Sequence, residues 1–221
     1  DNITYYYDDF ITPWLNDRKS FERITPKAGI TYRLSPVQSF YANLGGGVEV
    51  PAGNEVDPVP TFGTDTVRLL NPLLEPIRST TVEVGTKHIL ALGGEEHVGT
   101  LTYDVALYWL EVTNDLIPFD DGGFYLTAGR TQRMGAEIGA ALRLDIGLTL
   151  EASATLSSNT YREYLIDSVH FNTALSGHVA DLKDKKMSGV PQSFYTIGVR
   201  YSPRSLGSAY LKAGLQGVGK Y

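Results

Sequence analysis

The chain has 221 residues, enough for one large β domain or two small ones, and its 14 Tyr and 23 Gly suit strands and turns better than helices. A net charge of −6 argues against a general nucleic-acid binder, and the lack of cysteine excludes disulfide frameworks and thiolate metal sites. No run stays apolar for the roughly 18–20 residues of a membrane-crossing helix, and "DNITYYYDDF" lacks the charged start and apolar core of a signal peptide. The mean hydropathy of −0.14 suits a soluble protein, or a membrane protein whose strands turn alternate residues to water.

The first segment, "ITYYYDDFITPWLNDRK", gathers Tyr5, Tyr6, Tyr7, Trp14 and Arg18. From Lys27 onward a period of two takes over, the mark of a strand with one apolar and one polar face. "KAGITYRL" sets Ala28, Ile30, Tyr32 and Leu34 against Lys27, Thr31 and Arg33, and "SFYANLGG" sets Phe40, Ala42 and Leu44 against Ser39, Tyr41 and Asn43. "TVEVGTKHIL" opposes Val82, Val84 and Leu90 to Thr81, Glu83 and Lys87, with His88 a blemish on the apolar side. "LTYDVALYWLE" puts Leu101, Tyr103, Val105, Leu107 and Trp109 on one face, with Thr102 and Asp104 opposite. "RMGAEIGAALRL" does the same with Met134, Ala136, Ile138, Ala140, Leu142 and Leu144 against Arg133, Glu137 and Arg143. "LTLEASATLS" alternates across all of 148–157 without exception. "SFYTIGVRY" and "AYLKAGLQG" close the series, giving about eight strands of the length a tilted membrane strand requires.

The connections alternate as well. Those at 34–38, 93–97, 144–147 and 202–208 are short and polar, whereas 49–79, 112–124 and 158–190 read as long links without periodicity. Lys27, Arg33, Glu83, Lys87, Asp104, Glu137, Arg143, Glu151 and Lys212 fall on the polar side of successive strands, and aromatics recur near the ends of the apolar side. A soluble β-sandwich also alternates, but it has no need of strict short–long loop alternation. The fold class that fits is all-β: an antiparallel up-and-down transmembrane β-barrel, partial, with the apolar face toward lipid and the polar face toward a wet lumen. In that frame the apolar side of 148–156 faces lipid, and Glu151 pairs in the lumen with Arg143 or Lys212.

Candidate chemistry is sparse. His88, His97, His170 and His178 have no metal-ligand spacing, and the Asp8-Asp9 and Asp120-Asp121 pairs read as solvated loop acids. No nucleophile elbow, P-loop or dinucleotide fingerprint appears, and "NLGGGVE" leads into a loop rather than a helix, so we expect no enzyme, metal site or cofactor. The Gly run suits a strand bend or close packing of another element. Two aromatic and cationic sets suit flat or anionic ligands at the extracellular mouth. One is Tyr5, Tyr6, Tyr7, Trp14 and Arg18; the other is Arg130, Arg133, Tyr161, Arg162 and Tyr164. An aromatic girdle and lumenal ion pairing are the plainer explanations of each.

Three stretches resemble TonB-dependent outer-membrane receptors. "TPKAGITYRLSPVQSFYANLGGGVEVP" is similar to a family segment at Pro26, Gly29, Tyr32, Ser39, Tyr41, Ala42 and Pro51. "LLEPIRSTTVEVGTK" resembles a second at Leu74, Pro76, Ser79, Glu83, Gly85 and Lys87. "TAGRTQRMGAEIG" resembles a third at Gly129, Thr131, Gly135 and Glu137, with Thr127 and Arg130 in place of the family's Asn and Lys. The resemblance covers about residues 20–221 and implies a barrel of about 22 strands around an N-terminal plug. It makes 1–221 a partial barrel domain, with the plug domain and closing strands absent. It also implies a bacterial outer-membrane location and contact with outer-membrane lipid. The implied function is energised uptake of a ferric-siderophore-like chelate, with the TonB complex engaged only through the plug. The haem-receptor motif of the family would fall near 48–52, where "VEVPA" lacks its Arg, which disfavours haem. A passive porin or barrel adhesin is the alternative, and a soluble β-sandwich binding module a more distant one.

Overall fold

The structure is a computed structural model that describes residues 2–8, 16–52, 70, 75–96, 98–119, 124–166, 180–203, 205 and 207–220. Twelve strands occur among them: β1 (Asn2–Asp8), β2 (Asn16–Glu22), β3 (Lys27–Ser35), β4 (Gln38–Glu49), β5 (Ile77–Leu92), β6 (Gly99–Phe119), β7 (Phe124–Leu144), β8 (Leu148–Glu163), β9 (Leu165–Ile166), β10 (Ala180–Asp181), β11 (Ser193–Tyr201) and β12 (Leu211–Val218). Eight of them form one antiparallel sheet in the order β12-β11-β8-β7-β6-β5-β4-β3, while β1 with β2 and β9 with β10 make separate pairs. These eight are the eight expected from the alternation. Because neighbours in sequence are neighbours in space, successive connections must fall at opposite ends of the sheet. The short links after β3, β5, β7 and β11 therefore share one end, and the links after β4, β6 and β8 share the other. Gly147, with φ of 86°, closes the β7–β8 turn in a conformation that suits glycine.

Paired residues of adjacent strands project to the same side, so the register fixes the two faces. One row runs Ile30, Ala42, Val84, Leu107, Ala136 and Leu156. The row beside it runs Thr31, Tyr41, Gly85, Ala106, Glu137, Thr155 and Phe194. Every residue of the charged set Lys27, Arg33, Glu83, Lys87, Asp104, Glu137, Arg143, Glu151 and Lys212 belongs to this second face. The first face is aliphatic and uncovered: Ile30 is 70% exposed, Leu107 55%, Leu156 56% and Leu215 62%. An apolar surface this continuous needs a solvent other than water. On β6 it runs outward from Leu101 to Trp109, about 27 Å of strand at 3.4 Å per residue. At the tilt of a barrel strand that is about 19–22 Å of height, most of an apolar band about 25 Å tall.

The blemish at His88 is resolved by its cross-strand partner. His88 and Tyr103 face each other in register, with Nδ1 2.9 Å from the phenol oxygen and the rings edge to face at 5.3 Å. The pair satisfies two polar groups on the apolar face. Gly85 is required by a close approach on the polar face: a Cβ there would sit 2.6 Å from the Tyr41 ring.

Three expectations are corrected. The stretch 112–124 is not a long link, because β6 runs to Phe119 and β7 starts at Phe124, and the two pair to that end. Likewise 158–163 belongs to β8, and the pair 165–166 with 180–181 lies inside the expected link 158–190. Finally, Arg143 and Lys212 do not reach Glu151. Glu151 lies in the row of Ala141 and Gly198, while Arg143, Arg200 and Lys212 occupy the next row through Thr149. Among the described residues no ion pair to Glu151 forms.

Candidate functional site

Above Trp109 the β6–β7 hairpin continues for about ten further residues per strand, about 34 Å of backbone at the strand rise. This is the end of the sheet where the long links lie. Here the alternation is broken twice. Asn114 takes a left-handed conformation (φ 59°), which asparagine tolerates. That reversal brings the Asp115 carboxylate to the polar face, where it accepts a hydrogen bond from the Thr131 hydroxyl at 2.8 Å and from Arg133 Nη2 at 3.0 Å. The second break is a register shift between β7 and β8: Arg130 pairs with Glu163 but Thr131 with Tyr161, so Arg162 is an extra residue.

The result is a compact polar cluster. Thr131 is fully buried, Asn159 and Tyr161 are buried beside it, and the Asp115 side chain is only 16% exposed. Arg133 Nε is buried without a hydrogen-bond partner. Asn159 Nδ2 donates to Ser157 Oγ at 2.9 Å. One register row below, an open cavity of about 670 Å³ touches both sides of the sheet, lined by Tyr108, Gly135 and Ser157 of the polar set, by Met134, Leu156, Ser158 and Ser193 of the outward set, and by Gln192. Residues 182–192 run along the β8 edge as a strap: Asp184 N–H donates to the Tyr161 carbonyl at 2.8 Å and Met187 N–H to that of Asn159 at 3.0 Å. Arg162 is drawn to this strap by Asp184 at 3.0 Å. Tyr161 and Tyr164 stack obliquely at 5.0 Å, and burial, with Tyr161 close by, pushes the Tyr164 phenol above its ordinary value.

The structure therefore divides the second expected set. Arg133 and Tyr161 share the polar face, with Tyr164 against Tyr161 and Arg162 at the bulge. Arg130 projects to the other side, where Glu111 at 3.9 Å and Glu163 at 4.0 Å flank it. Asp115, Thr131, Asn159 and Asp184 complete the cluster; none of the four stands among the expected site residues, and Thr131 figures in the sequence only as a position of the third family-like stretch. The Asn-Asp step at 114–115 was the available signal for Asp115.

The first set lies on the β1–β2 hairpin at the same end. The Tyr5 hydroxyl donates to the Pro51 carbonyl at 2.6 Å, which ties the hairpin to the chain leaving β4. Tyr5 meets Phe21 edge to face at 6.2 Å, and on the opposite side of the hairpin Arg18 lies 5.6 Å from the exposed Tyr6 ring. Tyr7 lies in β1 opposite Asp17. Trp14 lies outside the described residues, as do His97, His170 and His178 and the acids Asp9, Asp120 and Asp121. Among the described residues no three His, Cys, Asp or Glu side chains gather as for a metal ion.

The family model described as TonB dependent receptor-like, beta-barrel, matches residues 1–221. Solved structures share the fold. The ferric-catecholate import receptor Fiu from E. coli K12 is 20% identical, with a TM-score of 0.57, over 91% of this chain and 25% of its own. The siderophore receptor PiuA from Acinetobacter baumannii is 20% identical with a TM-score of 0.57, over 92% and 26%. The copper transporter OprC is 15% identical with a TM-score of 0.66, over 92% and 27%. The chain thus spans about a quarter of the length of these structures.

Proposed function

The chain belongs to the TonB-dependent receptor β-barrel family of the bacterial outer membrane, and on that premise we propose that it forms part of the wall of a receptor for energised uptake of a ferric-siderophore-like chelate. The family's members are transporters rather than enzymes. The observation that carries the substrate class is the cluster on the polar face above the apolar band. Arg133 holds a fixed guanidinium there, Asp115 and Thr131 orient it, and the half-buried Tyr164, backed by the buried Tyr161, adds an aromatic ring at that end. Aromatic rings and a guanidinium suit a flat, anionic chelate, and the names of Fiu and PiuA point the same way. The Tyr6–Arg18 pair on the β1–β2 hairpin offers a second contact of the same kind at that end. In this reading the remaining wall and the plug come from the rest of the receptor, and the TonB complex acts on the plug.

The test is a fluorescence titration of the full receptor with a ferric catecholate, a ferric hydroxamate, haem and cobalamin in parallel. Saturable binding of one ferric siderophore, weakened about tenfold or more by Arg133→Gln, is the expected outcome. Binding of haem or cobalamin instead would overturn the substrate class. Equal affinity of the variant would remove Arg133 from the site.

A further inference from the structure

We propose that the outward face of β4 and β5 holds a binding site for the phosphate-bearing headgroup of an outer-leaflet lipid, centred on Arg78. A cavity of about 340 Å³ lies where residues 23–26 cross the tops of these two strands. The side chains that reach it from β4 and β5 are chiefly Leu44, Val48, Arg78 and Thr80, all on the apolar, outward set by register. The glycine run serves it through Gly46, its outward-facing member, which lets Pro26 pack close (a Cβ there would meet Pro26 at 3.1 Å), so that no side chain of β4 stands between Leu44 and Val48. Arg23 and the 93%-exposed Ile24 line the rim.

Height and charge select the occupant. Val82, opposite Trp109, is the last outward aliphatic residue of β5, and Arg78 stands four residues beyond it. That is about 14 Å of strand, or about 10 Å of height at the tilt of a barrel strand, which places the guanidinium in the headgroup layer above the hydrocarbon. Glu111, the outward acid opposite Thr80, is turned to Arg130 at 3.9 Å. No carboxylate among the described residues lies within 4 Å of Arg78. An exposed arginine with no carboxylate within 4 Å among the described residues, above an apolar floor and facing lipid, matches a phosphate carried on acyl chains. A free phosphate would find the charge but gain nothing from Leu44, Val48 and Ile24.

Native mass spectrometry of the full receptor, purified in detergent and offered defined lipids, tests the site. The probes are bis-phosphorylated lipid A, its fully dephosphorylated form, phosphatidylethanolamine, and inorganic phosphate. Wild type should retain bis-phosphorylated lipid A at least fivefold over the dephosphorylated form and over phosphatidylethanolamine. Arg78→Gln should abolish that preference, whereas Arg33→Gln, on the polar face, should keep it. Heat-modifiability on gels identifies folded barrels, so that only folded variants are compared. Equal retention by wild type and Arg78→Gln would overturn the site. So would indifference to the lipid's phosphates, or binding of inorganic phosphate with no retained lipid.

Discussion

Ala152 and Glu151 are adjacent on β8, yet they belong to two different regions: a sheet of aliphatic and aromatic side chains, and a sheet of charges, hydroxyls and glycines. In the bare chain both are exposed. What separates them is the solvent each face was selected for, lipid on one side and a wet interior on the other. Backbone hydrogen bonds are satisfied identically for both, so a strand can cross the bilayer while only half its residues are apolar.

The contrast can be broken by putting the wrong chemistry on either face. Ala152→Arg should have the largest effect, about 2–4 kcal/mol near the bilayer midplane, read from denaturant unfolding of the receptor folded into lipid vesicles. Asp115→Ala should follow at about 1.5–3 kcal/mol, because it strands Arg133 in a half-buried position without its acceptor. The same assay measures it, and Asp115→Asn should recover part of the loss.

Tyr103→Phe sharpens the comparison within the apolar face. It removes the hydroxyl that meets His88 and should cost about 0.5–1.5 kcal/mol, although the ring itself gains in apolarity. A stabilised variant would mean that the His88–Tyr103 contact carries no weight. Glu151→Ala should be the mildest change, within about 1 kcal/mol, since its side chain faces water and makes no ion pair among the described residues. A penalty from Glu151→Ala as large as that from Ala152→Arg would invert the two faces.

What the sequence revealed, and what it concealed, follows from the same contrast. Within the apolar band the two solvents differ, so the eight strands of the sheet stand out by period, from Ala28 to Leu215. Above the band both faces of a strand are wet. Residues 112–119 therefore lose their alternation and read as part of a long link, although they continue β6, and Phe124, the end of that link, already begins β7. The β1–β2 hairpin was hidden for the same reason. The upper cluster was half legible: Arg133 and Tyr161 show as a cation and an aromatic near strand ends. Asp115 joins them only through the left-handed Asn114, and Arg130 leaves them by one step of parity. Neither follows from residue type alone. The Glu151 pairing failed on a finer point, since a shared face is not a shared row.

The assignment of the two faces can be read directly because the chain contains no cysteine. Single cysteines placed at each position from Leu148 to Ser157 of the full receptor, in outer membranes, would be exposed to a charged, membrane-impermeant maleimide. In parallel they would be labelled with a fluorophore quenched by brominated lipid. The expected result is a strict period of two: lipid quenching at 148, 150, 152, 154 and 156, and maleimide access at 149, 151, 153, 155 and 157. Uniform access along the strand, or quenching at the odd positions, would contradict it.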